Sequence, residues 1–205
     1  MTRNLIYIIF GYLSGSVLYA HIFGRLLKHE DVVQNSKDQN PGTANAFMQG
    51  GFLCGILTLL MDLTKGFLPV YLYFRGLLPK DATFVGTALV IAAPVIGHAF
   101  PVFFHWKGGK GIATSFGCML GLLPDVIPVS ILIVFFLFYS LVLRITPHFY
   151  RTIFTYLSAL TAMLFTAHSG PVVPGFFIIC AMVILRLHLS KEEREKCKVK
   201  LLWMH

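Results

Sequence analysis

The sequence predicts an all-α integral membrane protein: a compact bundle of about seven transmembrane helices, N-terminus outside and C-terminus cytoplasmic. Three observations carry that expectation. Of 205 residues, 56% are hydrophobic and only 13% are charged, with a mean hydropathy of +0.73; a soluble domain carries about 25% charged residues. The apolar residues gather into runs near the roughly 17–25 residues that a spanning helix needs. The cations gather in connections that fall on one side.

The runs are Leu5–Gly24, Phe52–Phe74, Ala82–Phe104, Ile112–Leu123, Val126–Leu143, Ile153–His168 and Val172–Leu187. The first is too continuous with motif residues, and too poor in small residues at a cleavage position, to be a signal peptide. The fourth is short, so it is tilted, partly embedded, or joined to the fifth through Pro124 and Asp125. Ser169, Gly170 and Pro171 make a turn between the last two. No internal repeat of the kind common in transporters is visible. Residues 1–190 form one polytopic domain and 191–205 a basic cytoplasmic tail, suited to anionic headgroups.

Orientation follows from the cations. With the N-terminus outside, Arg25, Lys28, Lys37, Lys107, Lys110, Arg144, Arg151, Arg186, Lys191, Arg194, Lys196, Lys198 and Lys200 fall on the cytoplasmic side. Arg3, Arg75 and Lys80 fall outside, and Lys65 lies within a span. The net charge of +8 is thus a topology signal and not a nucleic-acid footprint. The four cysteines form no CxxC, and no histidine pair has metal-ligand spacing, so neither a disulfide framework nor a metal is expected.

Motif residues crowd the same side. Gly97–Thr114, GHAFPVFFHWKGGKGIAT, contains Lys107-Gly108-Gly109-Lys110-Gly111 before a helix start. Glycines let backbone N–H groups approach an anion, and a helix N-terminus adds partial positive charge. Lys107 and Lys110 are either phosphate ligands or interfacial anchors; the intervening glycines favour ligands. His98 is either satisfied by a neighbour or functional, and Thr114 caps or packs.

Gly11–Arg25, GYLSGSVLYAHIFGR, offers Gly11 and Gly15 as a close-packing face. Ser16 either bonds back to the carbonyl of residue 12 or faces a polar site. Arg25 is an interfacial anchor or a bidentate phosphate ligand. Ser16 and Arg25 point to opposite sides of one straight helix, so they share a site only if it ends or bends near Gly24. In Asp38–Gly51, Asn40-Pro41-Gly42 is a tight turn and Thr43 a helix cap. Asn45 falls in the first turn of that helix. Asn40, Gly42, Thr43 and Asn45 suit a polyol or phosphate. Asp62 and Lys65, three apart inside the second span, form an ion pair that is either functional or supports the phosphate loop.

These constellations, in this order, resemble the PlsY family, the acyl-phosphate:glycerol-3-phosphate acyltransferases of bacterial membranes. The first motif carries Ser16 and Arg25, the second is NPGTAN from Asn40 to Asn45, and the third is GHxFPVFxxxKGGKGxAT. DLxKG from Asp62 to Gly66 also matches. The chain departs at Lys37-Asp38-Gln39, where the family has Gly-Ser-Gly, and at Thr43-Ala44-Asn45, where it has Ala-Thr-Asn. Arg186-Leu187-His188-Leu189-Ser190 keeps only part of an Arg-His-x-x-Asn pattern.

The resemblance implies a seven-helix membrane enzyme of the bacterial inner membrane, with its site facing the cytoplasm. It implies transfer of a fatty acyl group from acyl phosphate to the sn-1 hydroxyl of glycerol-3-phosphate. The products are lysophosphatidic acid and phosphate, in the first step of phospholipid synthesis. Ser16, Arg25 and His98 become catalytic candidates. Arg25, Lys107, Gly108, Gly109, Lys110 and Gly111 become phosphate ligands, with Lys37 assisting, and Asn40, Gly42, Thr43 and Asn45 hold the glycerol. No cofactor, metal or nucleic acid is implied. Membrane lipids are partners, as is a functional link to the enzyme that makes acyl phosphate. An HxxxxD motif is absent, since Phe103 stands five residues after His98. The alternatives are a transporter or channel for a phosphorylated anion, and a noncatalytic scaffold.

Overall fold

A computed structural model describes residues 2–28, 31, 33, 36, 38–76, 83–166, 170–190 and 196–202. The helices are α1 (Thr2–Gly15), α2 (Tyr19–Lys28), α3 (Thr43–Arg75), α4 (Phe84–Ala99), α5 (Ile112–Leu120), α6 (Ile127–Leu137), α7 (His148–Phe165) and α8 (Val172–Leu189). A 3₁₀ turn at Val102–Phe104 follows α4, and a π-helical turn, Phe138–Val142, extends α6. Two short strands, β1 (Leu143–Thr146) and β2 (Lys198–Leu201), pair antiparallel.

Because α1 and α2 share one apolar span, Arg3–Leu27, the bundle has seven helical units. Among the described residues, four are long and apolar enough to cross a bilayer: Arg3–Leu27, Thr43–Arg75, Phe84–Phe104 and Val172–Leu189. At 1.5 Å per residue, nine-residue α5 reaches only about 14 Å, so it packs inside the bundle without crossing.

Two ends are distinguishable. At one, the Arg3 guanidinium donates to the Tyr73 carbonyl (3.3 Å), and Tyr73 Oη donates to Asn4 Oδ1 (2.7 Å). This joins the start of α1 to the end of α3, and Asn4 in turn reaches Thr83 before α4. The opposite end gathers the end of α4, the starts of α3, α5 and α7, and the end of α8.

Apolar side chains from α3 through α8 meet in one core, including Ile91, Val95, Met119, Leu132, Tyr156, Phe176 and Val183. Large apolar side chains also cover the outside, as Phe52, Phe103, Val134 and Phe165 do. A lipid solvent makes that surface favourable, whereas water would penalise it.

Glycine sets the closest crossings. The Gly11 and Gly15 face expected from the sequence lies on Ala93 and Pro94 of α4, and a Cβ on Gly15 would stand 2.0 Å from the Pro94 carbonyl oxygen. Gly97 answers from α4, where a Cβ would stand 2.1 Å from the Tyr12 carbonyl oxygen. Gly15→Val should therefore destabilise the protein by about 1–3 kcal/mol through overpacking, as read from thermal unfolding in detergent.

Three local expectations change. The first span breaks at Ser16–Leu18, well before Gly24. Thr43 is not the cap of α3: Gly42 holds that position and no side chain caps it. The run expected from Phe52 starts nine residues earlier, at Thr43, because α3 continues through a kink at Gly51, whose φ is 79°. No strand was expected in the C-terminal stretch, where β2 folds back on the end of α6.

Candidate functional site

The expected phosphate loop closes the end of α4. After Pro101 the chain turns through His105 and Trp106, at φ 52° and 63°, and enters α5 from Gly111 at φ 78°. The loop is tied down by its own backbone: Gly109 N–H donates to the His98 carbonyl (3.0 Å) and Lys107 N–H to that of Phe104 (3.0 Å). Room for any side chain is missing at the two central glycines. A Cβ on Gly108 would lie 2.0 Å from the His98 carbonyl oxygen, and one on Gly109 would lie 2.2 Å from His98 Nε2.

The two loop lysines differ. Lys107 is exposed, while Lys110 is buried. Lys110 Nζ donates to Asp38 Oδ2 (3.2 Å) and lies 2.9 Å from His148 Nε2. An ammonium has no lone pair, so the imidazole nitrogen accepts. The ring proton then belongs on Nδ1, 3.1 Å from Thr152 Oγ1, whose own hydroxyl donates to the His148 carbonyl (2.9 Å). Lys110 is thereby fixed between the loop before α3 and the first turn of α7.

Asp38 organises the second motif around that ammonium. Its Oδ1 accepts from the Asn45 side-chain amide (2.7 Å) and from Asn40 N–H (3.2 Å), and the Asn45 amide also donates to the Asn40 carbonyl (2.8 Å). Burial pushes the Asp38 carboxyl up, but the Asn45 amide, the Lys110 charge and the Asn40 N–H outweigh it, so its pKa lies below the usual value. A depressed carboxyl stabilises the fold above the unfolded value, about pH 3.9, and loses that contribution as pH falls through the folded value. The difference in thermal midpoint between wild type and Asp38→Asn should therefore stay constant from about pH 5 to 8 and shrink below about pH 4.

Beneath the loop lies a buried charge. Lys65 Nζ lies 2.8 Å from Asp62 Oδ1, with side chains 1% and 2% exposed respectively. The same ammonium donates to the Val17 carbonyl (2.6 Å). That carbonyl is available because the first span unwinds at Ser16–Leu18, the arrangement by which membrane proteins satisfy a buried cation. His98 Nδ1 stands 4.0 Å from Asp62 Oδ1, so His98 lies between the ion pair and Gly109. Ser16 is buried and its hydroxyl donates to the Tyr12 carbonyl (2.8 Å), the back-bonded alternative.

The structure thus gathers Asn40, Asn45, His98, Gly108, Gly109, Lys110 and Gly111, with Asp62 and Lys65 underneath. Gly42 sits in the same turn, its N–H donating to the Asn40 carbonyl (2.8 Å), and the Thr43 hydroxyl is buried without a hydrogen-bond partner. Arg25 lies to one side. Its side chain is 68% exposed and 3.4 Å from Asp31, which also takes His21 Nδ1 at 3.0 Å. Burial raises the Asp31 pKa, but His21, the Val33 N–H and Arg25 together bring it below the usual value. Arg25 lines a groove of about 430 Å³ with His21, Ile22, Leu26 and Phe104, and Phe104 lies in the 3₁₀ turn that leads into the Lys107–Gly111 loop. Lys37 lies outside the described residues.

Two members were missed in the sequence. His148 sits in no motif; its only signal was a polar residue just after Pro147 at a helix start. Arg186 was weighed only as a cytoplasmic cation and part of a C-terminal pattern. Its guanidinium donates to the Gly108 carbonyl and lies 5.6 Å from the Phe100 ring centroid. Its Nε is buried without a hydrogen-bond partner. The arrangement can seat an anion between a fixed ammonium, a guanidinium and the N-terminus of α5.

Known proteins are similar to this chain in sequence and in fold. The sequence profile of the glycerol-3-phosphate acyltransferase family matches residues 5–195. The glycerol-3-phosphate acyltransferase of Haemophilus ducreyi is 35% identical over 201 residues, covering 94% of this chain and 95% of that one. That of Shewanella woodyi is 40% identical over 118 residues, covering 58% and 56%. Crystal structures of PlsY (YgiH), an integral membrane glycerol 3-phosphate acyltransferase, also match at 26% identity. Its glycerol 3-phosphate form gives a TM-score of 0.77 over 91% of this chain and 89% of that one. The lysophosphatidic acid form gives 0.73 over 90% and 87%. With the profile spanning nearly the whole bundle and its Lys-Gly-Gly-Lys-Gly loop, the chain belongs to the glycerol-3-phosphate acyltransferase family.

Proposed function

We propose that this membrane protein transfers a fatty acyl group from acyl phosphate to the sn-1 hydroxyl of glycerol-3-phosphate, giving lysophosphatidic acid and inorganic phosphate. The observation that carries the reading is the buried, doubly held Lys110 beside the glycine loop, in a chain of this family. The hydroxyl oxygen bonds to the acyl carbon and the carbon–oxygen bond to phosphate breaks. The hydroxyl proton goes to a phosphate oxygen; a phosphate monoester, with a second pKa of about 6, is partly a basic dianion at neutral pH. An acyl phosphate is already an activated anhydride, so stabilising the departing phosphate matters more than a protein base. His98, walled off under Gly109, acts by positioning the loop.

Lys107, Lys110 and the Gly108–Gly111 backbone take one phosphate. Arg25 takes the other from its adjoining groove, which Phe104 joins to the loop. Asn40, Gly42, Thr43 and Asn45 face the glycerol. Arg186 joins the phosphate ligands through its unused Nε. Holding two anions side by side supplies much of the rate by orientation. The acyl chain fits an apolar groove between α7 and α8, lined by Leu157, Leu160, Phe177 and Ile184 and bounded by His188.

The site faces the cytoplasm of a bacterial inner membrane, with the N-terminus outside. The support is charge: Lys107, Lys110, Arg144 and Arg186 gather at the loop end, against Arg3 and Arg75 at the other. Acyl phosphate then comes from a separate enzyme working at the same surface. Transport is disfavoured because the polar pair at depth, Asp62 and Lys65, is closed off by the Val17 carbonyl and His98.

The test is a donor comparison. Purified protein in detergent should form lysophosphatidic acid from palmitoyl phosphate and glycerol-3-phosphate, and none from palmitoyl-CoA at equal concentration. Equal or better use of the thioester would refute the acyl-phosphate assignment.

A further inference from the structure

The second motif has a polarity that its own residues impose. Asn45 is 4% exposed, and its side-chain amide is already committed: Nδ2 donates to Asp38 Oδ1 (2.7 Å) and to the Asn40 carbonyl (2.8 Å). The amide cannot be turned over. A flip would set its own carbonyl oxygen against a carboxylate oxygen and a peptide carbonyl, neither of which has a hydrogen to give. Asp38 is fixed in turn, by Lys110 on its other oxygen (3.2 Å) and by Asn40 N–H (3.2 Å). The Asn45 carbonyl oxygen is then the part of the amide left for a ligand. Among the described residues nothing donates to it.

An amide carbonyl oxygen takes hydrogen bonds and gives none. It repels the oxygens of a phosphate or a ketone and accepts from a hydroxyl. The Thr43 hydroxyl, which has no partner either, can rotate to give or to take, so it does not discriminate. Position places the polyol here. Asn45 is joined through Asp38 to Lys110, and the Asn40 side chain stands against the phosphate loop, where a Cβ on Gly109 would lie 3.2 Å from Asn40 Oδ1. A ligand whose phosphate meets the loop brings its neighbouring carbons to this amide.

We propose that Asp38 makes Asn45 a selector of the acceptor substrate: the Asn45 carbonyl oxygen takes the proton of a C2 hydroxyl, so polyol phosphates with that hydroxyl are acylated and those with an acceptor-only group at C2 are rejected. This rests on the acyl transfer proposed above. There the sn-1 proton goes to a phosphate oxygen, which leaves the C2 hydroxyl for Asn45. Asp38 acts through Asn45 and is a positioning residue.

The test gives purified protein in detergent palmitoyl phosphate and one of three acceptors: glycerol-3-phosphate, its 2-deoxy analogue or its 2-deoxy-2-fluoro analogue. For the deoxy analogue kcat/KM should fall by about 5–150-fold, the factor carried by one buried acceptor left unpaired. The fluoro analogue, with lone pairs where the hydroxyl has its proton, should be worse still. Asn45→Ala should bring the three acceptors close together. Asp38→Ala, which leaves only the Asn40 carbonyl to oppose a flip, should narrow the spread while Asn45 is still present. Lys107→Met should slow all three alike. Equal use of the three acceptors by wild type, or a fluoro analogue better than the deoxy, would overturn the selector and leave acyl transfer standing. An undiminished spread in Asp38→Ala would overturn the role of Asp38. Absence of lysophosphatidic acid from glycerol-3-phosphate itself would overturn acyl transfer and the selector together.

Discussion

Lys110→Met should lower kcat/KM for glycerol-3-phosphate acylation by about 10²–10³-fold, the usual effect of removing one preorganised electrostatic donor. The expectation comes from how this ammonium is held. Asp38 and His148, which hold it, come from segments far apart in the chain, and its side chain is only 8% exposed. Little reorganisation is then needed when a phosphate arrives beside it. Methionine keeps the length and apolar stem of lysine. Asp38 keeps the Asn45 amide and Asn40 N–H, so the variant should fold. Lys107→Met, at an exposed position on the same loop, should cost less. Steady-state kinetics on folded, detergent-purified variants checks both, and equal losses would argue against a special role for the buried lysine.

Lys65→Met should destabilise the protein by about 3–5 kcal/mol, because it leaves the Asp62 carboxylate without its partner in a buried place. The Val17 carbonyl also loses its donor. An unpaired buried acceptor costs about 1–3 kcal/mol by itself, though the two terms overlap. Asp62→Asn should be destabilising in the same way from the other side. The double variant Asp62→Asn/Lys65→Met removes both charges and should recover much of the loss, since a buried pair contributes little against apolar packing of the same volume. Thermal unfolding of the three variants tests this. If the double variant is no more stable than the worse single, the pair is not what holds the broken first span against α3. His98 and the loop rest on this pair, so the singles should also lose activity at temperatures where they remain folded.

What the sequence disclosed was local. Apolar runs located the helical units, and the glycine face at Gly11 and Gly15 was visible because helix spacing alone puts both on one side. The i−4 bond of Ser16 is equally local. The break at Ser16–Leu18, inside a run read as one span, was not foreseen because its partner, Lys65, is 48 positions away in the chain. A helix end inside a continuous apolar run is legible only once the buried cation that takes its carbonyl is known. Thr43 was read as a cap because its type favours caps, but the Asn40-Pro41-Gly42 turn enters α3 one residue earlier.

The site was half legible for the same reason. The loop from Lys107 to Gly111 and the Asn40–Asn45 turn announce themselves by composition. His148 does not, because an imidazole after a proline means nothing until α7 is packed against the loop. Asp38 was noticed only as a departure, yet it carries the ammonium of Lys110 and the amide of Asn45 together. The β1–β2 ribbon pairs segments more than fifty residues apart with no connecting turn, so no short-range strand signal exists.

The most direct measurement is phosphate release from palmitoyl phosphate by purified protein, with and without glycerol-3-phosphate, together with mass spectrometry of the lipid product. The account predicts release that requires the acceptor, matches lysophosphatidic acid mole for mole, and collapses in Lys110→Met. Release without acceptor, or none from folded protein with both substrates present, would contradict it.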